Sequence, residues 1–233
     1  HLVRTVPGNG LIIAPQCEAH IQRVLEMGCW TPVESIDAQA NSGGWFAKLL
    51  QTDGSTFEVF FDGQSQGTVQ WDSLGQHNVN NAIAAIAAAR HAGVPTKHAI
   101  EALGKFQSPK RRMEIRGEIG GITVYDDFAH HPTAISTTLA GLRESIGLSE
   151  NPGRLIVLIE ARSNTMKAGY HQQALAVSLQ DADVVLWFRS PGSQLDLEAI
   201  ASEVKGDFQA LDTTEEMIGW VACHAENGDH VVI

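Results

Sequence analysis

Paired cysteines, positive charge, aromatic residues and long apolar runs are all scarce in this 233-residue chain. No apolar stretch approaches the ~18–20 residues that a membrane-spanning helix requires. Cys17, Cys29 and Cys223 form no Cys-x-x-Cys pair. Their odd number and wide spacing fit neither a disulfide framework nor a zinc site. They are expected to be reduced thiols of a cytoplasmic protein. Lys and Arg total 16 against 27 Asp and Glu, a formal charge of −11. That balance argues against nucleic acid and anionic membrane surfaces as partners. A phosphate-cradling loop is missing too. The lone Gly-Lys pair, Gly104-Lys105, has Ala99 where such a loop needs its first glycine and Phe106 where it needs Ser or Thr. The first residues are neither an initiator Met nor a signal peptide, and the last, His230–Ile233, lie within an apolar strand pattern. A piece of a longer protein is therefore expected, with any phosphate loop upstream of His1.

What is present is a hydrophobic fraction of 43%, enough for a sizeable core in one large domain or two small ones. The most informative stretch is Ile122–Ile135, ITVYDDFAHHPTAI. Ile122 and Val124 alternate with Thr123 in a β-branched and aromatic run, which predicts a buried strand. It ends on Asp126 and Asp127, followed closely by His130 and His131. Pro132 then suits the first position of a helix, where its missing N–H costs nothing. Ile135, Leu139, Leu142 and Ile146 recur at helical spacing. Four ionisable side chains thus sit on a strand-to-helix turn, where open α/β sheets bind ligands.

The rest of the chain supplies the frame. Strands are expected over Leu11–Ala14, Trp45–Gln51 and Thr56–Phe61, with a helix through Ile21, Val24 and Leu25 ending at Gly28. Gly75–Gly93 is an alanine-rich helix whose first turn crowds His77, Asn78, Asn80 and Asn81. One Asn can cap a helix, but three exceed what capping needs. Asn78 and Asn81, three apart, share a face, and an Asn amide can both donate to and accept from a purine edge. A short helix over Thr96–Leu103 precedes a boundary near Gln107, where the consecutive Lys110, Arg111 and Arg112 stand out in an acidic chain. An arginine fork suits phosphate.

Beyond Met113, a hairpin through Gly120-Gly121 leads into alternating strands and helices. Strands are expected over Leu155–Ile159, Val184–Phe188, Phe208–Leu211 and Val231–Ile233. Helices are expected around Tyr170–Leu179, Leu197–Val204 and Thr214–Ala225. That alternation predicts βαβ crossovers and a doubly wound sheet. The turns at Asp126–His131 and Arg162–Lys167 would then project from the same sheet edge.

Gly75-Gln76-His77-Asn78-Val79-Asn80-Asn81-Ala82, then Arg111-Arg112, then Tyr125-Asp126-Asp127-Phe128-Ala129-His130-His131-Pro132 resemble the second half of a Mur ligase. These are ATP-dependent amide-forming enzymes of peptidoglycan assembly. The order and spacing match from roughly Leu74 to Ile233. The resemblance implies an α/β fold: residues 1–107 as the C-terminal portion of the central ATP-binding domain, and residues 108–233 as a Rossmann-like, doubly wound C-terminal domain truncated at its end. Within the family, Glu160-Ala161-Arg162-Ser163-Asn164-Thr165-Met166-Lys167 resembles the branch that joins UDP-N-acetylmuramate to L-alanyl-γ-D-glutamyl-meso-diaminopimelate during recycling. The branch that adds L-alanine to UDP-N-acetylmuramate is the alternative.

The resemblance also implies roles. His77, Asn78 and Asn81 would line the adenine site, Arg112 would reach the phosphates and Asp127 the ribose hydroxyls. Phe128, His130 and His131 would face the muramyl substrate, with His130 and Arg112 closest to the chemistry. Arg162, Ser163, Asn164 and Lys167 would orient the peptide. ATP and Mg2+ are the implied cofactors, with the metal ligands outside this chain. Lacking the phosphate loop, the chain alone is expected to be inactive. Two other classes compete. One is a metal-dependent hydrolase on Asp126, Asp127, His130 and His131. The other is a peptide- or nucleotide-binding module without catalysis.

Overall fold

The computed structural model describes residues 1–36, 43–150 and 152–233. It divides into two compact units, His1–Gln107 and Ser108–Ile233.

The first unit opens with a single helical turn, α1 (Leu2–Thr5), followed by β1 (Ile12–Pro15), α2 (Ala19–Glu26) and β2 (Val33–Ile36). Next come β3 (Trp45–Leu49), β4 (Thr56–Phe61) and β5 (Gln64–Gln70), then α3 (Gln76–His91) and α4 (Thr96–Leu103). The strands form one sheet in the order β1-β2-β3-β4-β5, parallel at the β1 end and antiparallel from β3 onward. Helix α3 buries Val79, Ala82, Ile83, Ile86 and Ala87, a stripe at helical spacing, against Trp45, Phe57, Val59 and Val69. Its small alanines let the helix lie close to the sheet. Strands β2 and β5 were not expected from the sequence. In β5 only Val69 is buried. A mostly polar edge strand leaves almost no period-two signal to read.

The second unit carries β6 (Glu114–Ile119), β7 (Ile122–Asp126), α5 (Pro132–Gly147) and β8 (Leu155–Glu160). It continues with α6 (Asn164–Lys167), α7 (Gln172–Ser178), β9 (Val184–Phe188) and α8 (Leu197–Glu203). The last elements are β10 (Asp207–Leu211), α9 (Thr214–His224) and β11 (His230–Val232). The strand order is β10-β9-β8-β11-β7-β6, all parallel except the antiparallel β6. Gly120 and Gly121 both have positive φ, 60° and 77°, and close the β6–β7 hairpin in the conformation a tight primed turn demands.

Ile156, Val184, Leu186 and Val231 point to the face covered by Met217 and Trp220 of α9. Helix α5 packs on α7 and α7 on α8 along the path that runs from β7 out to β10. The chain then returns through α9 to insert β11 between β7 and β8. This is a doubly wound α/β sheet, as the alternating pattern implies. Leu155, Ile156, Leu175, Leu179 and Trp187 are almost wholly buried, each such side chain contributing about 1.5–3 kcal/mol of transfer free energy.

Candidate functional site

Because β7, β8, β9 and β11 run parallel, their carboxyl ends share one edge. Strand β7 delivers Asp126 there and β8 delivers Glu160, with β11 between them. The turns Asp126–His131 and Arg162–Lys167 therefore do leave the same edge.

At the β7 end each ionisable group has its own partner. The Asp126 carboxylate lies 3.3 Å from Arg111 Nε. Asp127 Oδ2 accepts from the Met113 N–H at 2.8 Å, and Oδ1 accepts from the Ala129 N–H at 2.7 Å. Each oxygen keeps a lone pair for a further donor. His130 Nδ1 sits 2.9 Å from the Phe128 carbonyl oxygen. A carbonyl can only accept, so Nδ1 carries the hydrogen of this contact. The His130 ring also meets the half-exposed Phe128 edge-on, with centroids 5.0 Å apart. His131 does different work. Its Nδ1 accepts from the Thr133 N–H at 3.3 Å and so caps α5, and its ring lies 5.1 Å from that of His171. These four side chains do not converge. Among the described residues no three His, Cys, Asp or Glu gather as a metal-ligand set. The hydrolase alternative finds no set of metal ligands among the described residues.

The basic segment is held by unusual backbone. Arg111 and Met113 adopt left-handed φ values of 61° and 50°, although neither is glycine. Each such residue costs on the order of 1–3 kcal/mol. Three contacts hold the bend: Arg111 N–H to Glu114 at 3.0 Å, Met113 N–H to Asp127, and Phe128 N–H to the Arg111 carbonyl at 2.9 Å. The Arg111 guanidinium also stands over the Phe128 ring, 5.5 Å from its centroid. Between the two bent residues, Arg112 is exposed and has no hydrogen-bond or ion-pair partner among the described residues. Arg111, which the sequence marks only as part of the basic run and the Arg111-Arg112 motif, is joined to this turn through Asp126 and Phe128.

At the β8 end the expected polar loop contains one helical turn, α6. The Ser163 hydroxyl accepts from the Met166 N–H at 3.2 Å as its N-cap. Arg162 lies 3.6 Å from Glu160. Asn164 is exposed and Lys167 half-buried.

In the first unit, none of the crowded asparagines caps α3. Gly75, at φ 88°, is the N-cap, so His77, Asn78, Asn80 and Asn81 all lie inside the helix. The Asn78 amide donates to the Leu74 carbonyl at 2.7 Å, and Asn80 accepts from Gln76 at 2.8 Å. Asn81 is exposed with both amide groups unengaged, and His77 is half-buried.

A doubly wound sheet with acids, imidazoles and an exposed arginine along its carboxyl edge is an α/β domain of the class that binds ligands at that edge. Comparison with known proteins narrows this. Residues 111–233 match the family model described as Mur ligase, glutamate ligase domain. Over all 233 residues the chain is 42% identical to the UDP-N-acetylmuramate--L-alanyl-γ-D-glutamyl-meso-2,6-diaminoheptandioate ligase of Escherichia coli, covering 50% of that protein. It is 33% identical over 196 residues, 82% of the chain and 40% of the relative, to the UDP-N-acetylmuramate--L-alanine ligase of Acidothermus cellulolyticus. A solved murein peptide ligase from Psychrobacter arcticus superposes on the whole chain and 49% of its own, at 41% identity and a TM-score of 0.69. The chain belongs to the Mur ligase family. It spans about half the length of the curated relatives that it matches end to end.

Proposed function

We propose that this chain is the nucleotide- and peptide-handling half of an ATP-dependent ligase. That ligase joins UDP-N-acetylmuramate to L-alanyl-γ-D-glutamyl-meso-diaminopimelate in the cytoplasm, in peptidoglycan recycling. The observation that carries the reading is Arg112, exposed and with no hydrogen-bond or ion-pair partner among the described residues, presented between two strained residues beside the Asp127 carboxylate. Strain at such a position is kept where function needs it. The 42% identity along the full chain favours the tripeptide branch over the L-alanine branch, where the likeness is weaker and shorter.

In this reading the muramyl lactoyl carboxylate attacks the γ-phosphorus of ATP and ADP departs, leaving an acyl-phosphate. The amine of the peptide's L-alanine then attacks the acyl carbon and phosphate leaves. Such chemistry needs positioning and charge neutralisation more than a protein nucleophile. Arg112 neutralises charge building on the phosphates. Asp127 accepts from the ribose hydroxyls with its spare lone pairs. Asn81, with Asn78 and His77 nearby on the helix, reads adenine. His130, exposed on the turn after β7, takes through Nε2 of its neutral ring the proton the attacking amine sheds. Phe128 and His131 bound the muramyl side, and Arg162, Ser163, Asn164 and Lys167 orient the peptide. Mg2+ would neutralise the phosphates when bound, and no step is assigned to it through this chain's residues.

The test is ATP-dependent phosphate release and product mass for the full-length protein, with UDP-N-acetylmuramate and either the tripeptide or L-alanine. Tripeptide turnover is expected. Turnover with L-alanine alone would move the protein to the alternative branch. The 233-residue chain by itself, which contains no phosphate loop, is expected to give none.

A further inference from the structure

An imidazole that takes a proton must meet the donor within hydrogen-bond reach, so its orientation comes before its basicity. His130 is exposed on the turn after β7, so burial does not fix its ring. An exposed side chain left to itself flips between rotamers within nanoseconds. Phe128 is what holds it. The Phe128 carbonyl oxygen lies 2.9 Å from His130 Nδ1, and the two rings meet at 68° with centroids 5.0 Å apart. Yet Phe128 is itself 50% exposed, so its own ring is not fixed by burial either.

Arg111 grips Phe128 at two points. Its carbonyl accepts from the Phe128 N–H at 2.9 Å. Its guanidinium stands over the Phe128 ring, 5.5 Å from the centroid, where a cation meets the negative face of an aromatic. Arg111 is fixed in turn. Its Nε lies 3.3 Å from the Asp126 carboxylate, and its N–H donates to Glu114 at 3.0 Å. A flat guanidinium can lie on a ring and still present an N–H edge to a carboxylate, which an ammonium cannot do. Contacts therefore run without a break from Asp126 through Arg111 and Phe128 to His130.

The two neighbouring arginines divide the work. The Arg111 guanidinium is committed to Asp126 and Phe128, whereas Arg112 has no hydrogen-bond or ion-pair partner among the described residues and is open to a ligand.

We propose that Arg111 is a positioning residue for the ligase reaction: acting through Phe128, it holds the His130 imidazole in the orientation that accepts the proton of the attacking amine. The inference rests on the function proposed above.

The test combines kinetics of the full-length ligase with spectroscopy of the 233-residue chain. Substitution keeps the backbone contacts of residue 111, so the bend that presents Arg112 survives. Arg111→Ala should lower kcat about fivefold or more and leave the KM for ATP within about twofold. Arg111→Lys, which keeps a cation beside the ring, should recover most of the lost kcat. In a Phe128→Leu background, Arg111→Ala should lower kcat no further, because effects that run through one residue do not add. In the chain labelled with 15N and 13C at histidine, Arg111→Ala should move the ring resonances of His130 and leave those of His224, at the opposite edge of the sheet, in place. An unchanged kcat, a raised KM for ATP with kcat intact, independent effects of the Arg111 and Phe128 substitutions, or unmoved His130 resonances would each overturn the assignment. His130→Ala separates this inference from the reading beneath it. Normal turnover there would remove the proton-accepting role and the positioning role together. A dead His130→Ala beside unmoved His130 resonances in Arg111→Ala would sink the positioning role alone.

Discussion

The Asp127 carboxylate accepts from the backbone N–H of Met113 at 2.8 Å, so the acid at the end of β7 clamps the bend that presents Arg112. A hydrogen bond to a charged group is worth about 1.5–3 kcal/mol, the same size as the cost of one left-handed residue. Asp127 is therefore both a candidate ribose ligand and the brace for a candidate phosphate ligand. Asp127→Ala should lower stability by about 1–3 kcal/mol in urea unfolding and raise the KM for ATP of the full ligase by at least an order of magnitude. A normal KM for ATP in the folded variant would remove both roles.

Arg112 has no hydrogen-bond or ion-pair partner among the described residues, so its loss should be nearly silent in folding. Arg112→Ala should change stability by no more than about 0.5 kcal/mol yet reduce turnover, or raise the ATP requirement, tenfold or more. Arg111→Ala is the informative contrast. It removes the Asp126 pair and the Phe128 contact, so it should move stability as well as rate. If the two variants behave alike, the distinction between brace and ligand is wrong.

Asp229 is buried where β11 begins. It accepts from the Arg154 N–H at 2.9 Å, from the Arg154 guanidinium at 2.6 Å and from the Glu226 N–H at 2.8 Å. Burial pushes its carboxyl up, but the hydrogen bonds from Arg154 and Glu226 outweigh this and hold it below the ordinary carboxylate range. The stabilisation is present above an unfolded value of about 3.8 and is lost as pH falls through the lower folded value. Asp229→Ala strands two backbone N–H groups and a guanidinium, and should cost about 2–4 kcal/mol. Guanidinium unfolding at neutral pH measures it, and a loss below 1 kcal/mol would mean that water replaces the carboxylate freely.

His230, on the same strand, gives the opposite titration. Burial, aided by Arg143 and opposed by Asp229, lowers its pKa below the usual 6.5. Its Nδ1 lies 3.0 Å from the Tyr125 hydroxyl, within hydrogen-bond distance. The unfolded chain takes up this proton more readily than the folded one. Its contribution to stability therefore falls as pH drops below about 6.5. His230→Gln should flatten the melting-temperature profile between pH 7 and pH 5. Parallel profiles for the two proteins would show that His230 does not contribute.

Much of the frame was legible because its signals are local. Leu155–Ile159 and Val184–Phe188 read as buried parallel strands because every residue is apolar. The turn after Asp126 was legible because polar residues end a strand abruptly. The edge strand β5 was invisible because it buries little, and the N-cap of α3 was not legible because it is Gly75 rather than one of the asparagines, its φ of 88° suiting a residue without a Cβ.

Residue order along the chain by itself determined the alternation of strands and helices, the strand-end clusters and the kinship to Mur ligases, since each depends on side chains close together in sequence. Only the tertiary structure decided that β11 slots between β7 and β8, that Asp127 reaches back to Met113, and that the loops after β8 and β9 are tied by a hydrogen bond from Gln194 to Lys167. Those contacts join segments far apart in the chain, and the side-chain periodicity of one segment carries no record of which other segment it will meet.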